Sequence, residues 1–227
     1  MKEYVIGDVG VKQYSWDIVD SNSYLLTSNG KALLIDAIDS PALYSELVKY
    51  RALSIILTHS HFDHICGLNY IRSHNQNAMV YATKQCSINI GNKYKNLSSV
   101  ANTYMTLYEG KPFSGNIKPI ICAPAEFTFE NKTTIDWDGH SIALKAVHGH
   151  SNDSLVAILD DVYLFSGDSL LSAPTVTRFP GGSTERFRKE DIPYFEKLDI
   201  KTVFPGHGSP GNIDDMLKAN TLTYKGE

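Results

Sequence analysis

A chain of 227 residues with 42% hydrophobic and 20% charged side chains can bury a large core and fits one domain over residues 1–227, which excludes a disordered polymer. A formal charge of −4 gives no electrostatic reason to expect nucleic acid. The sparse cysteines (Cys66, Cys86 and Cys122, with no CxxC pair), the absence of an apolar leader after Met1, and the lack of a bilayer-length apolar run predict reduced thiols and a cytoplasmic setting without a membrane partner.

In chain order, "EYVIGDV", "SNSYLLTS" and "KALLIDAI" read as strands, with a hairpin turn at residues 28–30. "SPALYSELVKY" predicts a helix with Ser40 as N-cap, Pro41 at the first helical position, and Leu43, Leu47 and Val48 on one face. Leu53 to Leu57 reads as a buried strand, followed by a helix near Gly67 to His74. Residues 84–118, rich in Tyr, Asn, Ser and Lys, read as helix plus loop. Strand signals return in "AEFTFE", in "TTIDWDGHSIALKAV" with its turn at Asp138–Gly139, and in "SLVAIL" and "VYLFSG". "RKEDIPYFEKL" reads as a helix, and "IKTVFPGHG" as a last strand running into a loop. Strands with helices between and outside them predict a layered α/β protein with mixed sheets.

Four polar clusters punctuate this map. "LTHSHFDH" carries His59, His61, Asp63 and His64; "VHGHS" carries His148 and His150; "FSGDS" carries Asp168; "FPGHG" carries His207. Each lies at the C-terminal end of an apolar segment, and such ends can converge on one rim of a layered sheet. In extended backbone, residues i and i+2 share a side, so His59 and His61 can grip one metal. Asp63 and His64 point elsewhere and suit a second metal close by. Imidazole and carboxylate without thiolate fit Zn²⁺ first, with Fe or Mn as alternatives. His148 and His150 compete for one role. His74 and His140 read as surface residues, Cys66 as a small buried residue, and the glycines of "PGGS" as a plain turn.

Taken together, "LLIDA", "THSHFDH", "HGHS", "FSGDS" and "FPGHG", in that order, resemble the metallo-β-lactamase superfamily. The resemblance implies a four-layer αββα sandwich, two mixed β-sheets flanked by helices, with a dinuclear site on one rim. It assigns His59, His61 and His150 to one metal and Asp63, His64 and His207 to the other. Asp168 becomes the bridging carboxylate, and Asp36 of "LLIDA" a support beneath the site. His150 is preferred to His148 because it occupies the histidine of the family's GH[ST] motif. The activity implied is hydrolysis of a small-molecule substrate by a metal-bridging hydroxide, since two cations about 3.5 Å apart lower the pKa of a shared water. Asp63 would orient that water or shuttle its proton.

Within the superfamily, the spacing of "YLFSGDSLL", "PGGS" and "VFPGHG" is most similar to the glyoxalase II-like branch, which implies two Zn²⁺ and a thioester or related ester. About twenty residues follow His207, fewer than the helical domain that binds glutathione in full-length enzymes of that branch. A lactone or phosphodiester hydrolase and a mononuclear iron persulfide dioxygenase are the alternative readings. Substrate contacts are expected from the Tyr-rich stretch 94–113 and from residues 177–187, where Arg178 is a candidate clamp for a carboxylate or phosphate.

Overall fold

Strand alternation decides the architecture. A computed structural model, describing residues 1–223, folds the chain into two mixed sheets. The first contains β1 (Lys2–Ile6), β2 (Val9–Ser15), β3 (Asn22–Ser28), β4 (Lys31–Ile35), β5 (Leu53–Ile56), β6 (Ala78–Thr83) and β7 (Phe127–Phe129), neighbours in space as in sequence. The second contains β8 (Lys132–Trp137), β9 (His140–Ala146), β10 (Leu155–Leu159), β11 (Tyr163–Gly167) and β12 (Thr202–Pro205), again in sequence order. Pairing is antiparallel from β1 to β4 and parallel from β4 to β7. It is antiparallel from β8 to β11, with β12 added in parallel to β11.

The period-two pattern of each strand sorts its side chains between two layers. Tyr24 and Leu26 of β3 enter the core between the sheets, while Leu25 packs outward. Leu155, Ala157 and Leu159 of β10 do the same from the other side, with Val156 and Ile158 turned outward. The first sheet's outer face is covered by α1 (Pro41–Leu47), α2 (Phe62–Ile65), α3 (Leu68–His74), α4 (Lys84–Asn89) and α5 (Ala101–Glu109). A short α6 (Thr184–Arg186) and a π turn (Phe187–Asp191) lead into α7 (Ile192–Phe195), which with α8 (Ile213–Thr223) covers the second sheet. This is the αββα order. Tyr24 joins its two sheets: its ring meets Phe165 and Phe204 edge-on at 5.6 and 5.4 Å, and its hydroxyl donates to the Pro205 carbonyl at 2.7 Å. No described helix is long and apolar enough to cross a membrane.

Several local expectations are corrected. "EYVIGDV" is not one strand, because Gly7 at φ +63° turns the chain and pairs Ile6 with Val9 in a hairpin. Val48 is 68% exposed, since it falls about 100° from Leu47 and about 140° from Leu43 around the helix. β6 and α8 were not read from the sequence; the apolar side chains β6 buries are only Ala78, Val80 and Ala82, a weak signal beside longer aliphatic runs. The turns at Asn29–Gly30 and Asp138–Gly139 form as expected, each with two residues at positive φ.

Candidate metal centre

The ends of β5, β9, β11 and β12 open on one rim. There the structure brings together every cluster singled out in the sequence. His59, His61 and His150 form one group of potential ligands, and Asp63, His64 and His207 a second; within each group the ligand atoms lie within 4.8 Å of one another. Asp168 stands between them. Its Oδ2 is 3.9 Å from His59 Nε2, 3.7 Å from His150 Nε2 and 3.3 Å from His207 Nε2, and its Oδ1 is 3.4 Å from His64 Nε2. α2, a single helical turn, separates the two pairs: His61 sits just before it, while Asp63 and His64 lie on it.

Each imidazole is held from behind. Thr58 Oγ1 lies 3.0 Å from His59 Nδ1, Asp36 Oδ2 lies 2.8 Å from His64 Nδ1, and the carbonyls of Val176 and Val19 lie 2.7 and 3.1 Å from the Nδ1 atoms of His150 and His207. These four rings therefore present Nε2 to the centre. His61 is the exception: its Nδ1 faces inward, 3.1 Å from His150 Nε2. Asp36 organises both groups. Adopting φ +58° at the end of β4, it accepts the Thr58 amide and the Thr58 hydroxyl, each at 2.7 Å, as well as His64 Nδ1. The Thr58 hydroxyl, having donated to Asp36, is left to accept from His59.

Three buried atoms at the centre have no hydrogen-bond partner: His59 Nε2, His64 Nε2 and Asp168 Oδ1. Buried polar atoms crowded together without partners are costly unless positive charge, a proton or a cation, lies among them. A divalent cation fits this donor set of nitrogen and oxygen without sulfur. The protonation pattern agrees. Burial, then the neighbouring His64, pushes His59 well below its usual range, and burial with His150 takes His61 down to about 4. Burial works against charge on His207 and His64 too, but the carboxylates of Asp168 and Asp63 prevail, taking His207 up to about 12 and His64 well above its ordinary value. Two protons on histidine thus balance two buried carboxylates, and a cation would supply that charge instead.

Glycines let the clusters approach. A Cβ on Gly206 would collide with Asp168 Oδ1, and one on Gly167, at φ +50°, with the Thr58 side chain. His148 points away from the centre, its Nδ1 near the Asn152 carbonyl at 3.2 Å, and lines a separate surface hollow. His74 stacks on Tyr70 and His140 meets Asp160, both away from the rim. "PGGS" is a turn, closed by Gly182 N donating to the Phe179 carbonyl at 2.8 Å.

Three supporting residues escaped sequence reading. Thr58 links Asp36 to His59. Asp153 accepts from Ser151 at 2.6 Å and from Asn89 at 2.7 Å, bracing the strand end beside His150. Asp191 accepts the amides of His148 and Gly149 at 3.2 and 2.7 Å and fixes the same loop; burial takes its carboxyl up to about 6 against those bonds. Only Thr58 lay within a quoted motif.

A cavity of about 410 Å³ opens above the centre, with His61, Asp63, His150, Asp168 and His207 on its floor. Tyr104 and Tyr108 from the Tyr-rich stretch and Phe179 from the 177–187 stretch line it, whereas Arg178 does not.

The sequence model described as the metallo-beta-lactamase superfamily matches residues 16–207. A probable metallo-hydrolase of Streptococcus pyogenes serotype M6 is 23% identical over 225 residues, covering 91% of this chain and 87% of that protein. The beta-lactamase-like protein 2 homolog of Drosophila melanogaster is 28% identical over 219 residues, covering 90% of this chain and 64% of that protein. Among solved structures, BLEG-1 B3 metallo-beta-lactamase shares the fold with a TM-score of 0.72 at 23% identity, over 94% of this chain and 99% of that one.

Proposed function

The chain belongs to the metallo-β-lactamase superfamily, and from that premise we propose that it is a zinc-dependent hydrolase with a dinuclear centre, acting on a thioester or related ester. The observation that carries this reading is the pair of complete three-residue groups, His59, His61 and His150 beside Asp63, His64 and His207, with unpartnered polar atoms turned inward. Each group would hold one cation, and Asp168 would contribute to both. When bound, two such ions activate a water nucleophile at neutral pH and polarise the scissile carbonyl.

The chain's own groups supply the rest. Asp63 lines the cavity floor with its Oδ2 3.4 Å from His207 Nε2, so its carboxylate can orient the attacking water and accept its proton. His207, its side chain 28% exposed, is the most open of the five ligand histidines and faces the cavity. The backing contacts on the Nδ1 atoms fix the tautomers before any ligand arrives, which limits reorganisation.

The testing experiment is a panel of thioesters, esters, lactones and phosphodiesters offered to the Zn²⁺-loaded chain. Turnover of thioesters or esters, abolished by a chelator and restored by Zn²⁺, is expected. Preference for phosphodiesters, or turnover indifferent to the chelator, would contradict the proposal.

A further inference from the structure

The cavity above the centre is divided by chemistry. Its floor holds histidine and aspartate, and its walls are almost wholly apolar. One wall is α5 and the turn before it, which present Leu97, Val100, Tyr104 and Tyr108; the other is the segment 171–180, including Val176 and Phe179. Among the described residues no lysine or arginine lines the cavity, and outside the floor its only titratable side chains are the two tyrosines. Burial raises the Tyr104 pKa, so that phenol stays neutral.

Contacts within the protein hold the walls. Asn220, buried on α8, donates to the Leu171 carbonyl at 2.9 Å and accepts the Thr175 amide at 2.7 Å, pinning one wall to the second sheet's helices. Tyr104 faces Phe179 across the opening at a ring separation of 5.6 Å. A volume of about 410 Å³ lies in the range of small-molecule sites, roughly 300–1,000 Å³. A distal carboxylate or phosphate placed against these walls would lose water and gain no cationic partner. A methylene placed there gains free energy from leaving water.

We infer that the cavity takes a neutral substrate with an apolar arm: an ester, thioester or lactone whose acyl chain lies between the walls and which carries no distal anionic group. This rests on the hydrolase reading of the same site. Glutathione, with two carboxylates, is a poor match, and a neutral thiol or alcohol is the better leaving group.

The test pairs turnover with binding. With the Zn²⁺-loaded chain, 4-nitrophenyl esters from acetyl to decanoyl are expected to rise in kcat/KM by roughly 3- to 4-fold per methylene until the cavity is full. With one acyl group held constant, S-hexanoyl-N-acetylcysteamine is expected to outrun S-hexanoylglutathione by about tenfold or more, since the charged head must stay in water or be buried unpaired. Separately, calorimetry of C4 to C10 primary alcohols on the metal-free chain is expected to show affinity rising with length and a negative heat-capacity change. Val100 and Val176 are 51% and 48% exposed, so Val100→Glu and Val176→Glu should fold, keep their metal content and flatten both slopes. Flat slopes in the unmodified chain, or equal turnover of the two thioesters, overturn the inference and leave the hydrolase reading intact. A slope in alcohol binding with no ester turnover supports the apolar-arm assignment and removes the hydrolase reading instead.

Discussion

Asp63→Asn is expected to lower kcat/KM by about 100- to 10,000-fold, the range of a lost general base, while the metal-free chain still folds, at a melting temperature lowered by the loss of the buried charge beside His64 and His207. The carboxylate sits in the first turn of α2, 8% exposed, with Oδ2 3.5 Å from His64 Nε2 and 3.4 Å from His207 Nε2. Asparagine has the same shape but cannot accept a proton at neutral pH and offers a weaker oxygen to a cation. The fold contact at this position is made by the main chain: Ser21 Oγ donates to the Asp63 carbonyl at 3.0 Å, which the substitution leaves in place. Steady-state kinetics beside thermal melts check both halves. Near-normal turnover would refute a role for Asp63 in the reaction.

The second large effect concerns Asp36, which is not itself a ligand candidate but bonds one, His64, from behind. Asp36→Ala removes the acceptor for the Thr58 amide, the Thr58 hydroxyl and His64 Nδ1. It strands buried donors at about 1–3 kcal/mol each and places alanine at φ +58°, a conformation asparagine and aspartate tolerate better. A total loss of roughly 3–5 kcal/mol is expected, the range for breaking a buried charged network. Asp36→Asn separates stability from metal binding. Its oxygen can still accept the Thr58 amide, but its NH₂ donates where a carboxylate oxygen accepted. His64 Nδ1 must then become the acceptor, which moves the ring proton to Nε2, the atom turned toward the centre. Asp36→Asn should therefore recover much of the stability lost in Asp36→Ala, yet bind metal about 10- to 100-fold more weakly than the unaltered chain, the usual effect of losing an outer partner of a ligand. Denaturant melts of the metal-free proteins and Zn²⁺ titration calorimetry read the two quantities. Wild-type metal affinity in Asp36→Asn would overturn this account of the tautomer.

The seven ligand candidates were legible because each stands where an apolar run stops, and because His59 and His61 follow the two-residue period of a strand. What joins them was not. Asp191 reaches Gly149 across 42 residues, and nothing local in "RKEDIPYF" distinguishes it from the solvated charges beside it. Thr58 lies within the quoted motif, yet only the fold shows that its hydroxyl connects Asp36 to His59. Val100, Tyr104 and Tyr108 recur every four residues, but a helical stripe names no partner until the helix is placed; here it faces the cavity. Val48 went wrong for a related reason: a hydrophobic residue at the end of a short helix need not lie on its buried stripe. The layered α/β class was legible from strands with helices between them, whereas the αββα order was implied by the family resemblance; β10, buried along its whole length, has to be covered on both faces.

The number of metal ions bound per chain tests the central claim most directly. Elemental analysis of the purified protein after reconstitution with Zn²⁺ and removal of excess ion should give two equivalents, one for each three-residue group. No bound metal, or saturation at a single equivalent, would contradict a dinuclear centre.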